Sequence, residues 1–217
     1  MKTKKLLKNF ALMSILIFMT GCALSRSVVP VEISEAAVNP VNGIDVKIVS
    51  VTDKRIFQVD PKTPNIPSIS ESEANTDAIR ARAIARKRNG YGAALGDVLL
   101  PEGQSVASVM ERSLSNSFRL AGFRVLKPAD PNYETAKPIK VDLIKFWSWI
   151  EWGFVELKVH NKSEIRLQGP VASLENGKTI SNEHIGSHAA VFESDWQDSA
   201  SLGIAGLSEK VTQELQK

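Results

Sequence analysis

The chain has 217 residues, 43% of them hydrophobic and 24% charged, with a formal charge of +3 and a single cysteine. That length is enough to bury one hydrophobic core, and one cysteine excludes an internal disulfide framework. Four lysines within the first nine residues carry the basic balance; without residues 1–21 the formal charge is about −1, so nothing global points to nucleic acid.

The first segment has three parts. Lys2, Lys4, Lys5 and Lys8 form a positive head, Phe10 to Met19 a mostly apolar run of 10 residues, and Thr20-Gly21-Cys22-Ala23 a small-residue end. Such a run is too short for a helix crossing a hydrocarbon layer about 30 Å thick, and the layout is that of a secretory signal peptide. Met19-Thr20-Gly21-Cys22 resembles the lipobox of bacterial lipoproteins. The resemblance implies cleavage before Cys22, a diacylglycerol thioether on its sulfur and acylation of the new amino group. An anchor of about three chains holds stably where a single chain holds weakly. Ala23 stands where an aspartate favours inner-membrane retention in many such lipoproteins, which implies the outer membrane with the protein on its periplasmic face. The lipid bilayer is then one partner, through acylated Cys22.

The expected domains are a signal peptide over 1–21, a lipidated N-terminus and tether over 22–42, and a single periplasmic α/β domain over 43–217. Pro30 and Pro40 mark the tether, with room for a local strand at Val28 to Glu32. Gly43 to Thr52 places Ile44, Val46, Ile48 and Ser50 on one face and reads as a strand. Asp60 to Asn75 contains Pro61, Pro64 and Pro67 and reads as a loop. Thr76 to Arg88 reads as a short helix, with Thr76 or Asp77 as cap, Arg86, Lys87 and Arg88 at its C-terminal end and Asn89-Gly90 as its stop. The strongest helical signal runs from Ser105 to Ala121. There Val106, Val109, Met110, Leu114, Phe118 and Ala121 recur three and four residues apart, between Gly103 and Gly122.

Ile139 to Ile150 has period two, with large apolar groups on both faces, so the buried face stays open. Val141, Leu143, Lys145, Trp147 and Trp149 share one side of that pattern. Phe154 to His160 alternates more cleanly. Two further strands, Glu164 to Leu174 and Lys178 to Phe192, flank Asn176-Gly177, a type I′ hairpin signal. Ser199 to Leu215 is a second amphipathic helix, capped by Asp198 or Ser199 and buried through Ile204, Leu207, Val211 and Leu215. The expected fold is α+β, a mostly antiparallel twisted sheet with two main helices (about 105–121 and 199–215) packed on one face.

The lipobox at Gly21-Cys22, the strand Val46 to Val51 leading into Asp53-Lys54-Arg55, and the helix Val109 to Leu114 ending near Gly122-Phe123-Arg124-Val125 form a pattern. With Val141-Asp142-Leu143 and a C-terminal helix, it resembles the YajG-like family of uncharacterised Gram-negative outer-membrane lipoproteins. The segment from about Pro61 to Leu99 is longer and more basic than that family suggests, and the family itself implies no settled activity.

Candidate sites are few. Asp53 and Arg55 follow the first strand and suit a structural ion pair or a docking point. Arg82, Arg86, Lys87 and Arg88, with Arg80, form the densest charge cluster, to be read as a solvated face, a lipid contact or a partner surface. Trp147, Trp149 and Trp152 crowd one hairpin with Phe146 and Phe154; they read as core or as a partner-binding patch. His184 and His188 are four apart on an extended segment, which does not make a zinc pair. Gly90, Gly92 and Gly96 lack the strand-to-helix setting of a nucleotide loop. No nucleophile–base or paired-carboxylate arrangement stands out, so neither an enzyme nor a cofactor is expected. The reading is a non-catalytic lipoprotein with a structural or accessory role and a cell-envelope protein partner, the alternative being a module for a small ligand or lipid; the oligomeric state is not readable.

Overall fold

The computed structural model describes residues 26–36, 40–73 and 76–217. Cys22 and the leader lie outside the described residues. The elements are β1 (Ser27–Val28), β2 (Asp45–Asp53), α1 (Asp77–Arg82), β3 (Ala83–Arg88), β4 (Ala94–Leu99), α2 (Val106–Leu120), β5 (Arg124–Val125), β6 (Lys137–Trp152), β7 (Leu157–Gln168), β8 (Lys178–His188) and α3 (Glu193–Leu215). All eight strands join one sheet, with β1-β4-β3-β6-β2-β5 as one path and β7 then β8 branching from β6.

The 16-residue β6 is the spine. Its first half pairs with β2, its second half meets β3, and β7 follows it over nearly its whole length. Four of the seven strand pairings are parallel: β1 with β4, β2 with β5, β2 with β6, and β3 with β6. The expected mostly antiparallel sheet is therefore corrected to a mixed sheet in which parallel pairings predominate. The physical reason lies in the connections. Antiparallel neighbours are joined by tight turns that leave a local signal, whereas parallel neighbours are joined by long crossovers that leave none. β2 finds β5 only across residues 54–123, and β6 only across residues 54–136.

α2 forms over Val106–Leu120. The Ser105 hydroxyl accepts the Ser108 N–H at 3.1 Å while the Ser108 hydroxyl accepts the Ser105 N–H at 3.0 Å, which closes the helix start. Gly122, at φ +92°, stops it. α3 begins at Glu193, six residues before the expected Ser199, because Trp196 and Ala200 extend its buried stripe. The Asp195 carboxylate accepts the Phe192 N–H at 2.6 Å, and Glu193 and Asp195 place negative charge in the first turn. Near its other end, Glu214 meets Lys217 at 2.7 Å and Lys178 of β8 at 2.9 Å.

The lysine contacts, Lys217 foremost, hold the Glu214 carboxyl below the ordinary carboxylate range. A depressed carboxyl pKa stabilises the fold above the unfolded value and loses that contribution as pH falls through the folded one. Glu214→Gln should therefore be less stable than the parent at neutral pH, with the gap closing in acid. Urea unfolding at stepped pH measures this.

The helix Thr76 to Arg88 is corrected. α1 ends at Arg82, and Ala83–Arg88 is a strand between β4 and β6. Ala83, Ile84 and Ala85 are consecutive and all fully buried. A strand with both faces covered buries consecutive residues in this way. The Asn176-Gly177 turn is also corrected. β7 and β8 are joined by residues 169–177, with a 3-10 turn at Ala172–Leu174 and Leu174 buried, and only Gly177 adopts positive φ (+72°). Within 22–42, Ser27–Val28 pairs with β4, and Val29 and Val31 are buried in the core.

Two cores lie on opposite faces of the sheet. The larger sits under α2 and α3 and takes Val141, Leu143 and Phe146 from β6; the smaller takes Ile69, Ala83, Leu99, Trp147 and Trp149, with Phe57 against it. A register shift between Leu143 and Lys145 explains the ambiguous pattern of β6. One extra residue moves every later side chain to the other face. Leu143 and Phe146 therefore share the helix side, while Trp147 and Trp149 turn away from it.

Candidate functional site

Trp147 is fully buried; its indole N–H donates to the Pro64 carbonyl at 3.0 Å, and Phe57 meets its ring edge-on at 5.9 Å. Trp149 is buried and stacks on His160, its cross-strand partner in β7, with centroids 4.8 Å apart and planes 10° apart. Trp152, at the end of β6, is half exposed and lies against Gly90. A Cβ on Gly90 would sit 3.7 Å from the indole, an ordinary contact. Of the three tryptophans singled out in sequence, one is core, one is a cleft floor and one is a cleft wall.

The cleft measures about 560 Å³ and is lined by Trp149, Trp152, His160, Arg88 and the Lys62–Asn65 loop, among others. His160 Nδ1 lies 3.2 Å from Glu183, and Nε2 lies 3.2 Å from Glu151. This sandwich of an imidazole between two carboxylates, backed by an indole, offers a stacking surface and negative charge to a docked side chain. Among the described residues, no three His, Cys, Asp or Glu side chains converge as metal ligands. His184 and His188 lie on β8, and His188 Nδ1 sits 3.2 Å from Asp195 at the start of α3.

The basic cluster is not one surface. The Arg82 Nε–H donates to the Leu100 carbonyl at 2.8 Å. Arg86 lies 3.7 Å from Asp97, which also meets Arg26 at 3.2 Å. Lys87 is buried. Arg88 donates to the Gly92 carbonyl at 2.8 Å and to the Ser68 hydroxyl at 3.4 Å. Burial, then the charge of Arg86, lower the Arg88 pKa against the opposing pull of Asp60. Only Arg88 lines the tryptophan cleft.

Asp53 and Arg55 form a bidentate pair at 2.7–3.1 Å. The Arg55 guanidinium, with no exposed side-chain surface, also donates to the carbonyls of Arg80 (2.7 Å), Ala83 (2.6 Å) and Phe146 (3.3 Å). Between β3 and β6 only Ala85 and Ser148 pair, so Arg55 bridges the two strands where the ladder does not.

His160, Glu151, Glu183 and the Lys62–Asn65 loop escape the sequence reading. The signal that could have found His160 was hairpin register. A turn at Gly153 to Glu156 pairs Trp152 with Leu157 and Trp149 with His160; a hairpin whose strands end at Ile150 and begin at Phe154, as the alternation suggests, misaligns both.

No protein-family model and no curated protein match the chain. Solved structures show a distant likeness. One is an uncharacterized protein, 11% identical, with a TM-score of 0.44 over 88% of this chain and 97% of that one. A protein from Xanthomonas campestris is 10% identical, with a TM-score of 0.42 over 88% and 92% of the two chains. A minor lipoprotein from Acinetobacter baumannii is 16% identical, with a TM-score of 0.33 over 49% of this chain and 82% of that one. The likeness runs to distant, mostly uncharacterised bacterial proteins, and not to the YajG-like family in particular.

Proposed function

We propose that the protein is a lipid-anchored, non-catalytic lipoprotein of the outer membrane, facing the periplasm, which docks an envelope protein in an accessory role. One observation carries the docking surface: a half-exposed Trp152 beside an open cleft floored by the Trp149–His160 stack. Large aromatics at the margin of a concave surface are the residues that dominate protein recognition. The cleft is wide and polar-rimmed, and its charged groups carry both signs, Arg88 and Lys62 against Glu151 and Glu183. That mixture suits a peptide side chain better than a purely apolar ligand.

The test places a photocrosslinking residue at Asn65, on the exposed cleft rim, in intact cells. A discrete adduct with an envelope protein is expected, and it should fade when Trp152→Ala is added, since truncating a recognition aromatic costs about 2 kcal/mol or more. An adduct equally strong with Trp152→Ala would move the docking surface elsewhere.

A further inference from the structure

Three chain reversals lie at one end of the sheet. β4 runs antiparallel to β3, so Asn89–Ala93 sits where β3 ends. β6 runs parallel to β3, so its turn Gly153–Glu156 sits there too, and Trp152 touches Gly90 across the gap. Leu157 pairs with His188, which brings Ala189–Phe192 to the same end. Together these three segments hold one charged residue, Glu156. They expose Tyr91 (99%), Phe154 (105%), Val155 (88%) and Phe192 (68%). Single exposed apolar groups are ordinary, but a set gathered on uncharged tips marks a contact surface.

The direction of β1 says what covers it. β1 is parallel to β4, with Ser27 opposite Val98, so the chain before Ser27 arrives from the end that carries Tyr91. Arg26 is held there by Asp97 at 3.2 Å. The Ser27 hydroxyl contacts Glu193, and His188 meets Asp195, so the edge strands β1 and β8 are tied to the first turn of α3 at this end. Arg26 lies four residue steps after Cys22, a reach of at most about 14 Å. From Asp97 along β4 to Ala94 is about 10 Å. A lipid on Cys22 is thereby confined to the tip end of the molecule.

We infer that this end faces the bilayer, and that Tyr91, Phe154, Val155 and Phe192 enter the boundary between headgroups and acyl chains of the membrane that carries the anchor. The inference rests on the reading of Cys22 as acylated. Tyr91 favours that boundary because its ring is apolar along its body and polar at its hydroxyl, while Phe154, Val155 and Phe192 are wholly apolar and bury just below the headgroups. The tips lack clustered cations, so the contact is apolar and insensitive to salt. The Trp152 cleft, next to the tips, then opens at the membrane surface, and the 169–177 loop points into the periplasm.

The test uses the full chain with its own leader, produced in a Gram-negative host and reconstituted in phosphatidylethanolamine–phosphatidylglycerol vesicles. One cysteine is introduced at a time, Val155→Cys or Phe192→Cys at the tips and Glu175→Cys at the far end, and is labelled with a fluorophore. Mass spectrometry of the N-terminal peptide reads the state of Cys22. Brominated lipids should reduce tip emission about twofold at low and high salt, as insertion by roughly 5–10 Å requires, and leave Glu175→Cys unchanged. Acylated Cys22 with unquenched tips overturns the inference and leaves the anchor intact, whereas unmodified Cys22 overturns both. Emission loss that follows protein density in unbrominated vesicles means that a second copy covers the tips, and overturns the inference as well.

Discussion

Arg55→Ala is expected to lower the unfolding free energy by about 3–5 kcal/mol, the cost of removing one partner from a buried charge network. The guanidinium is fully enclosed and is shared among Asp53 and three backbone carbonyls, Arg80, Ala83 and Phe146. It also lies 5.2 Å from the Phe57 ring, which in turn packs on Trp147, so its loss reaches the smaller core. Lysine is no substitute, because a single ammonium cannot span the fork geometry that the carboxylate and the carbonyls demand. Asp53→Asn should cost only about 1 kcal/mol, since Asp53 is partly exposed and Arg55 keeps its carbonyl partners. Urea unfolding of the mature chain, with the denaturant slope unchanged, reads both values. Equal losses in the two variants would mean that the ion pair, rather than the carbonyl bridge, carries the stabilisation.

The Arg55 network also shows where sequence reading runs out. The proximity of Asp53 and Arg55 was legible from their spacing; the three carbonyls were not, because they belong to segments 25 to 91 residues away. α2 was legible almost to the residue, since its burial has the period of a helix and its ends carry Ser105 and Gly122. The same logic failed for Ala83–Arg88, where a strand buried on both faces has no period to read. In β6 the period existed, but the register shift after Leu143 inverted its phase halfway along. The tryptophan cleft inherits that inversion. Assigning Trp147 and Trp149 to the face of Val141 and Leu143 places them under the helices, whereas the shift turns them toward the Lys62–Asn65 loop.

A close approach of helix to sheet at Gly203 was equally invisible in sequence, and it sets the last expectation. Gly203→Ala should destabilise the protein although alanine is the better helix former. A Cβ at 203 would stand 2.5 Å from Asn161 Cγ and closer still to Oδ1. Asn161 is fully buried in β7 and donates to the Ser148 hydroxyl at 2.9 Å, so it has nowhere to turn. Backing α3 away would stretch the bonds that the Gly203 carbonyl accepts from Asn182 (3.3 Å) and Ser163 (3.4 Å). Overpacking of this kind costs up to about 3 kcal/mol, and the propensity gain returns about 1 kcal/mol, leaving roughly 2 kcal/mol of net loss. Gly206→Ala is the control. Its added Cβ meets Asn182 Nδ2 at 2.5 Å, but Asn182 is only half buried and can swing aside at the cost of its 3.3 Å bond to the Gly203 carbonyl, so the loss should be smaller. Combining Gly203→Ala with Asn161→Ala removes the obstacle, and the double variant should be more stable than the sum of the single losses allows. Strict additivity would mean that α3 tolerates the methyl group by moving, and that its contact with β7 is looser than the placement of Asn161 requires.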